Sequence, residues 1–290
     1  MDIVLITGAN SGIGRATAVR LGAAGYRVYA AMRDLGKAGK LLDAAAAAGS
    51  EVHIVAVDVT DERSVREGVE AVLGEAGRID VLINNAGIAL NATTEDIDIG
   101  VGKAVFDTNY WGAIRCLQAV LPQMRERRSG HIVNVSSVTG RVAAIGQTVY
   151  ASSKWALECM SENLAQEVAG FGIRVSVIEP SVTRTAMLPK NLAVPEHTAY
   201  GPAYQWMLNF YAAGIAANVR PEEVADVIRE ALATDEPRFR YPCAWGGDGL
   251  VFGRARMSDH EWIEMGAAAT DEEYYERFER HFGLDIRPSG

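Results

Sequence analysis

The sequence predicts an α/β protein: a mostly parallel, doubly wound sheet with helices on both faces. Three observations carry that expectation. Short apolar, β-branched runs alternate with longer helical patterns through the first 190 residues, the signature of repeated βαβ units. The runs are apolar nearly throughout rather than at every second residue, so each strand is buried on both faces. Glycine or asparagine closes several of them, where a strand must stop. The strands are expected at 3–6, 27–31, 52–57, 81–83, 131–135 and 174–178, and the helices between them at 12–24, 37–48, 61–76, 102–127 and 150–169. An alanine run at 44–48 is explained by helix propensity alone. After Pro180 the pattern changes, because Pro189, Pro195 and Pro202 precede an aromatic-rich helix holding Tyr204, Trp206, Met207, Phe210 and Tyr211. This stretch, 186–220, reads as an insertion over the carboxyl ends of the strands. Arg220-Pro221-Glu222-Glu223 opens a further helix, with proline in the first turn and carboxylates at the positive end of the dipole. A last strand falls at 239–241. The extension 245–290 is acidic and helical, with Ser258 and Thr270 each three residues before a glutamate, Glu261 and Glu273, as in capping boxes. The whole, 1–290, reads as one domain without internal repeats.

Composition narrows the function. With 28 basic against 37 acidic residues the formal charge is −9, and no basic stripe offers itself to nucleic acid. No apolar run approaches the roughly 20 residues of a membrane span, and no basic, cleavable leader precedes the first strand. The three cysteines, Cys116, Cys159 and Cys243, are widely spaced and form neither a disulfide scaffold nor a zinc site. A cytoplasmic protein is expected, with no metal. His260 among Asp259, Glu261 and Glu264 reads as an acidic helix face.

The first strand runs into Thr7-Gly8-Ala9-Asn10-Ser11-Gly12-Ile13-Gly14 and then a helix. Here Gly8 permits a sharp turn, Gly12 lets backbone approach a pyrophosphate, and Gly14 lets the helix pack on the strand, while the helix N-terminus supplies N–H groups. A plain loop is the alternative reading, which the strand-before, helix-after context disfavours. At the end of the second strand, where an acidic residue would accept from an adenosine 2′-hydroxyl, stands Met32. The adjacent Arg33 suits a 2′-phosphate, so NADP(H) is preferred and NAD(H) remains possible. An ordinary solvated arginine, or Asp34 serving NAD two places late, are the competing readings.

Tyr150-Ala151-Ser152-Ser153-Lys154 sets a phenol and an ammonium four residues apart on one helix face. A nearby cation favours the phenolate and moves a poor base toward usefulness. Alone, the pair is an everyday helix-surface feature. Its neighbours matter: a strand ending in Ser136-Ser137, another ending in Asn84-Asn85-Ala86-Gly87, and Asn109 inside a long helical pattern that disfavours it. The first two also read as turn chemistry, and Asn109 as a kink.

Together, the glycine turn, Asn84 to Gly87, Asn109, Ser137 and the Tyr150/Lys154 pair resemble the short-chain dehydrogenase/reductase family in its compact form, over roughly 1–190. The resemblance implies a Rossmann-type parallel sheet in strand order 3-2-1-4-5-6-7 and interconversion of an alcohol and a carbonyl. Tyr150 would be the acid/base, Lys154 would hold the nicotinamide ribose and depress the tyrosine pKa, Ser137 would orient the substrate oxygen, and Asn109 would hold a relay water. Asp58 would contact adenine with Val59 beside it, and Asn85, Ala86 and Gly87 would floor the cofactor. Thr185 would meet the carboxamide after Pro180, where Ser181 replaces the family's glycine. The strand end Ala30-Ala31-Met32-Arg33-Asp34 and the long C-terminus resemble the branch of 17β-hydroxysteroid and retinol dehydrogenase-like enzymes. A homodimer or homotetramer is implied. A catalytically silent dinucleotide sensor and an NAD-preferring dehydrogenase are the rival readings. The aromatic helix is either a lid over a bulky apolar substrate or simple packing.

Overall fold

A computed structural model describes residues 1–187 and 194–288. Pro189 therefore lies outside the described residues. Seven parallel strands form one sheet in the order β3-β2-β1-β4-β5-β6-β7. They are β1 (Ile3–Thr7), β2 (Arg27–Met32), β3 (Val52–Ala56), β4 (Val81–Asn84), β5 (Gly130–Val135), β6 (Ile173–Pro180) and β7 (Arg240–Cys243). The connecting helices are α1 (Gly12–Ala23), α2 (Gly39–Ala47), α3 (Glu62–Ala76), α4 (Ile99–Phe106), α5 (Gly112–Arg127) and α6 (Thr148–Ala169). Beyond β6 come α7 (Gly201–Ala216), α8 (Pro221–Ala233), α9 (Gly247–Arg256), α10 (Asp259–Met265) and α11 (Asp271–Phe282).

The strands divide their side chains between two cores, as the period of two requires. Ile3 and Leu5 of β1 pack with Val65, Val69, Val120, Met124 and Leu164 from α3, α5 and α6. Val4 and Ile6 face the other way, toward Leu21, Leu41, Val224 and Ile228 of α1, α2 and α8. Each fully buried aliphatic side chain contributes on the order of 1.5–3 kcal/mol.

Three elements differ from the sequence reading. The helix expected at 37–48 is a short 3₁₀ turn, Leu35–Lys37, capped by Asp34, followed by α2. The helix expected at 102–127 begins at Ile99, where Asp98 accepts from the Val101 N–H at 2.8 Å, and passes through a π turn at Asp107–Trp111. In the tail, Ser258 and Glu261 close a reciprocal capping box. At Thr270 the glutamate reaches one residue further back, so Glu273 accepts from the Ala269 N–H at 2.7 Å.

The C-terminal helices build a third core with α7. Trp206 stacks on Tyr274 with ring centroids 4.1 Å apart and donates its Nε1 hydrogen to Asp271 at 2.7 Å. Phe278, Phe282 and Leu250 join them, together with Val138 from the turn after β5. Of the α7 aromatics, Trp206 and Phe210 pack in this core, whereas Tyr204 and Tyr211 form a smaller cluster with Met207 and Val182.

Candidate active site

The carboxyl ends of the strands border a cavity of about 710 Å³ that runs from Gly8 to Tyr211. At one end lies the glycine turn. Gly8 has φ +67°, and a Cβ there would sit 2.8 Å from the Ala86 Cα. At Gly14 a Cβ would sit 2.4 Å from Asn85 Nδ2 and 2.5 Å from the Gly8 oxygen, so the third glycine is a packing requirement. Ser11 stands at the N-cap of α1 but makes no side-chain cap, and no acidic residue occupies the first turn. Those N–H groups and their partial positive charge face the cavity, beside Asn10, Gly12 and Ile13. Asn85 donates to the Thr7 oxygen at 2.9 Å, and Thr7 Oγ1 accepts from the Asn85 and Ala86 N–H groups, both at 3.0 Å. These bonds tie β1 to the floor formed after β4.

At the end of β2, Met32 is buried and Arg33 is three-quarters exposed, its Nε 3.9 Å from an Asp58 oxygen. Asp34 is committed elsewhere, accepting from the Gly36 N–H at 3.0 Å and pairing with Lys37 at 3.3 Å. Asp58 is shaped by Thr60, whose N–H and hydroxyl donate to it at 3.0 and 2.7 Å. Val59 is buried beneath Gly112, where a Cβ would meet its Cγ2 at 2.9 Å. Lys37 also lines this end of the cavity, and the sequence reading missed it. Its only signal was the spacing of four from Arg33, hidden by the expectation of an ordinary helix.

At the middle of the cavity α6 presents Tyr150 and Lys154. Lys154 is 4% exposed; its Nζ donates to the Val135 oxygen at 2.9 Å and lies 5.8 Å from the Tyr150 ring centroid. Burial drives the Lys154 ammonium pKa down to about 8, opposed by the charge of Glu158. Burial also raises the Tyr150 pKa, and a hydrogen bond with Ser137 pulls it back. Ser137 Oγ donates to the Pro180 oxygen at 3.2 Å and accepts from the Thr139 N–H at 3.2 Å, which fixes its direction.

Asn109 sits in the π turn, 2% exposed. It donates to the Ile88 oxygen at 2.9 Å and to Ser153 Oγ at 3.0 Å, and accepts from the Ile88 N–H at 2.8 Å. Both its amide hydrogens are thus spent on holding the segment after β4 against α6. A Cβ on Gly87 would lie 3.3 Å from Asn109 Oδ1 and 3.7 Å from Lys154 Nζ, so the glycine opens space at this junction. Ser181 has no positive φ, so the serine sits in place of the family's glycine without backbone strain. Thr185 lies over the glycine turn, its Cβ 3.3 Å from where a Gly12 Cβ would be.

The cavity is also bordered by Ile88, Val138, Gln147, Met187, Phe210 and Tyr211. Tyr211 donates to Asn91 Oδ1 at 3.1 Å. The helix α7 is fastened to the segment after β4 by Asp96, which accepts from Thr93 Oγ1 at 2.7 Å, Thr198 Oγ1 at 2.8 Å and the Tyr204 hydroxyl at 3.0 Å. Of the expected insertion, residues 188–193 lie outside the described residues, and α7 brings Phe210 and Tyr211 to the cavity border. Phe210 and Tyr211 belong to the aromatic helix singled out in the sequence, whereas Ile88, Val138, Gln147, Met187 and the Asp96 anchor had no local motif to announce them.

Comparison with known proteins agrees with this geometry. The family model described as short chain dehydrogenase matches residues 2–194. Retinol dehydrogenase 8 of Bos taurus is 38% identical over 250 residues, covering 82% of this chain and 80% of that protein. The 17-beta-hydroxysteroid dehydrogenase type 1 of Homo sapiens is 38% identical over 253 residues, covering 82% of this chain and 76% of that protein. Among solved structures, a short-chain dehydrogenase from Streptomyces avermitilis superposes with a TM-score of 0.78 at 32% identity, covering 92% of this chain and 98% of that one. A metagenomic short-chain oxidoreductase in complex with NADP superposes with a TM-score of 0.66 at 25% identity, covering 82% of this chain and 95% of that one. Motif order, strand order and relatives converge, and the chain belongs to the short-chain dehydrogenase family of NAD(P)-dependent oxidoreductases.

Proposed function

We propose that the protein is an NADP(H)-dependent enzyme that interconverts a secondary alcohol and a ketone, or a primary alcohol and an aldehyde, on a bulky apolar substrate. The observation that carries the reading is the convergence of Tyr150, Lys154 and Ser137 at the middle of a cavity whose far end is the uncapped N-terminus of α1. When bound, the nicotinamide supplies or accepts a hydride. The fit of the dinucleotide rests on the glycine cradle, on the opening at Gly87, and on Arg33 and Lys37 at the adenosine end, which suit a 2′-phosphate better than a bare hydroxyl. Gly8, Asn10, Ser11, Gly12, Ile13 and Gly14 would hold the pyrophosphate, Asp58 and Val59 the adenine, and Asn85, Ala86, Gly87, Pro180 and Thr185 the nicotinamide half.

Tyr150 is the proton donor in reduction and the acceptor in oxidation. Burial keeps its hydroxyl protonated at neutral pH, which suits reduction there and makes oxidation rise with pH. Lys154 binds the nicotinamide ribose, and its charge favours the phenolate that reduction leaves behind. Ser137, held by Pro180 and Thr139, orients the substrate oxygen. Asn109 spends both amide hydrogens on Ile88 and Ser153 and accepts from the Ile88 N–H, so the relay water would be held as a donor to its Oδ1.

The apolar wall of Val138, Phe210 and Tyr211 supports a bulky substrate, and the names of the retinol and hydroxysteroid relatives point the same way. Half-exposed Trp111 in the π turn and Trp155 on α6 support a homodimer or homotetramer joined through these helices. Among the described residues no helix is long and apolar enough to cross a membrane. The test is NADPH consumption over a panel from small ketones and aldehydes to decalones and steroids, with Tyr150→Phe alongside. Turnover lost in the variant is the expected result; wild-type turnover in the variant would overturn the acid/base role.

A further inference from the structure

One turn beyond Lys154 on α6, and outside the cavity lining, a group of charged side chains is buried that the proposed reaction does not use. Glu158 is 3% exposed and Glu179, next to last in β6, is fully buried. Arg240, the first residue of β7, reaches both, with Nε 2.9 Å from Glu158 Oε2 and 3.4 Å from Glu179 Oε1. Arg141 approaches Glu179 Oε1 at 3.3 Å from the loop after β5. The other face of the Arg240 guanidinium ends on half-exposed Glu162 at 2.6 Å. Among the described residues, Glu158 Oε1, Glu179 Oε2 and Ser136 Oγ have no hydrogen-bond partner. The turn Val138–Gly140 closes over the group, since a Cβ on Gly140 would lie 2.8 Å from Ser136 Oγ and 2.9 Å from Glu158 Cγ.

Two carboxylates in so dry a place are costly unless their charges act on something. The neighbouring titratable and charged groups are Lys154 from α6, Arg141 from the loop after β5, and Arg240 and Cys243 from β7, the last raised to about 12 by burial first and then by Glu179 and Asp248. Of these, Lys154 alone belongs to the proposed reaction.

We infer that Glu158, clamped by the Arg240 it shares with Glu179, is a positioning residue whose buried negative charge keeps Lys154 an ammonium ion. The inference rests on the reading of Lys154 as a catalytic residue. Glu158 stands one helical turn from Lys154 on the same face of α6 and both are buried, so burial works against the Lys154 charge and Glu158 works for it. Glu179 takes the complementary part. Burial, then the charge of Glu158, push its carboxyl up to about 7, while Arg141 and Arg240 pull it back.

The test compares wild type with Glu158→Gln and Glu162→Gln by the pH dependence of kcat/KM and of the NADPH dissociation constant, from about pH 5.5 to about pH 9.5. In wild type the high-pH limb on which cofactor affinity falls reports loss of the Lys154 proton. Glu158→Gln is expected to move that limb down by about one pH unit. Glu162→Gln also loses a contact with Arg240, but at the surface, and is expected to leave the limb in place. An unmoved limb in folded Glu158→Gln, or an equal shift in Glu162→Gln, overturns the inference. If Glu158→Gln does not fold, Glu158→Asp takes its place: retention of the charge retains the limb, and a folded Glu158→Asp with the limb shifted down overturns the idea. Tyr150→Phe and Lys154→Met run in parallel. Full turnover in these would defeat the catalytic reading itself; lost turnover in both, with an unmoved limb in Glu158→Gln, would defeat the positioning role alone.

Discussion

Replacing Gly14 by alanine adds one methyl group where the structure leaves no room for it. The new Cβ would stand 2.4 Å from Asn85 Nδ2 and 2.5 Å from the Gly8 oxygen, so one of them must retreat by about 1 Å to reach ordinary contact. Neither is free to do so. Asn85 is held by hydrogen bonds to the Thr7 oxygen at 2.9 Å and the Gly8 oxygen at 3.3 Å, and Gly8 is pinned in its turn by Ala86. Overpacking of this kind costs about 1–3 kcal/mol and a lost hydrogen bond about 1 kcal/mol more. The expected loss is therefore about 2–4 kcal/mol, or a fall in Tm of roughly 3–7 °C at this chain length. Because the moved atoms belong to the phosphate turn, NADPH affinity should fall at least about tenfold as well. Gly74 on α3 makes the control, since among the described residues nothing lies within 4 Å of its Cβ position. There the same methyl should raise stability by about 0.5–1 kcal/mol through helix propensity. Melting curves and cofactor titrations on both variants check the pair. A Gly14→Ala protein that melts and binds NADPH like wild type would refute the packing account of the third glycine.

Arg33→Ala and Lys37→Ala should each weaken NADPH by about tenfold or more, the loss of a charge-assisted contact, while NADH changes little; equal losses for both cofactors in a binding titration would count against the 2′-phosphate site. Asp96→Ala removes the acceptor of three hydroxyls that fasten α7, so KM for a bulky ketone should rise several-fold with the NADPH dissociation constant unchanged; an unchanged KM would deny the anchor any part in substrate binding. His131 is buried, bonded to Ser176 Oγ at 2.9 Å, and burial holds its pKa down at about 3. Its contribution to stability is therefore present above the unfolded value of about 6.5 and is lost as the pH falls toward 3, with a slope of at most about 1.4 kcal/mol per pH unit. Urea midpoints should fall steeply through this window in wild type and less steeply in His131→Asn, and parallel curves would refute the assignment.

The parts of the molecule legible in the sequence are those whose signal is local. Ile3 to Gly14 carries a strand, a turn and a helix start in adjacent residues, and Tyr150 and Lys154 share a helix face by spacing alone. The position of Asn109 was visible as an oddity within a helical pattern. That it marks a π turn, with its side chain tied to Ile88 and Ser153, depends on partners far along the chain. Lys37 was concealed because a capped 3₁₀ turn and a helix start look alike in one dimension. The Asp96 anchor joins three hydroxyls, two of them about a hundred residues away, and the Glu158 group draws residues from α6, β6, β7 and the loop after β5. Tertiary packing alone brings such residues together, and no spacing rule encodes it. The aromatic helix illustrates the opposite risk: Phe210 and Tyr211 border the cavity, whereas Trp206, four residues earlier than Phe210, stacks in the C-terminal core.

The most direct test of the central claim follows a labelled hydride. Purified protein is incubated with NADPH deuterated at the nicotinamide C4 and with the best ketone of the panel, and the alcohol product is weighed by mass spectrometry, with Tyr150→Phe in parallel. The account predicts an alcohol carrying deuterium at the former carbonyl carbon, formed by wild type and not by the variant. Alcohol formed without the label, or formed equally fast by Tyr150→Phe, would contradict it.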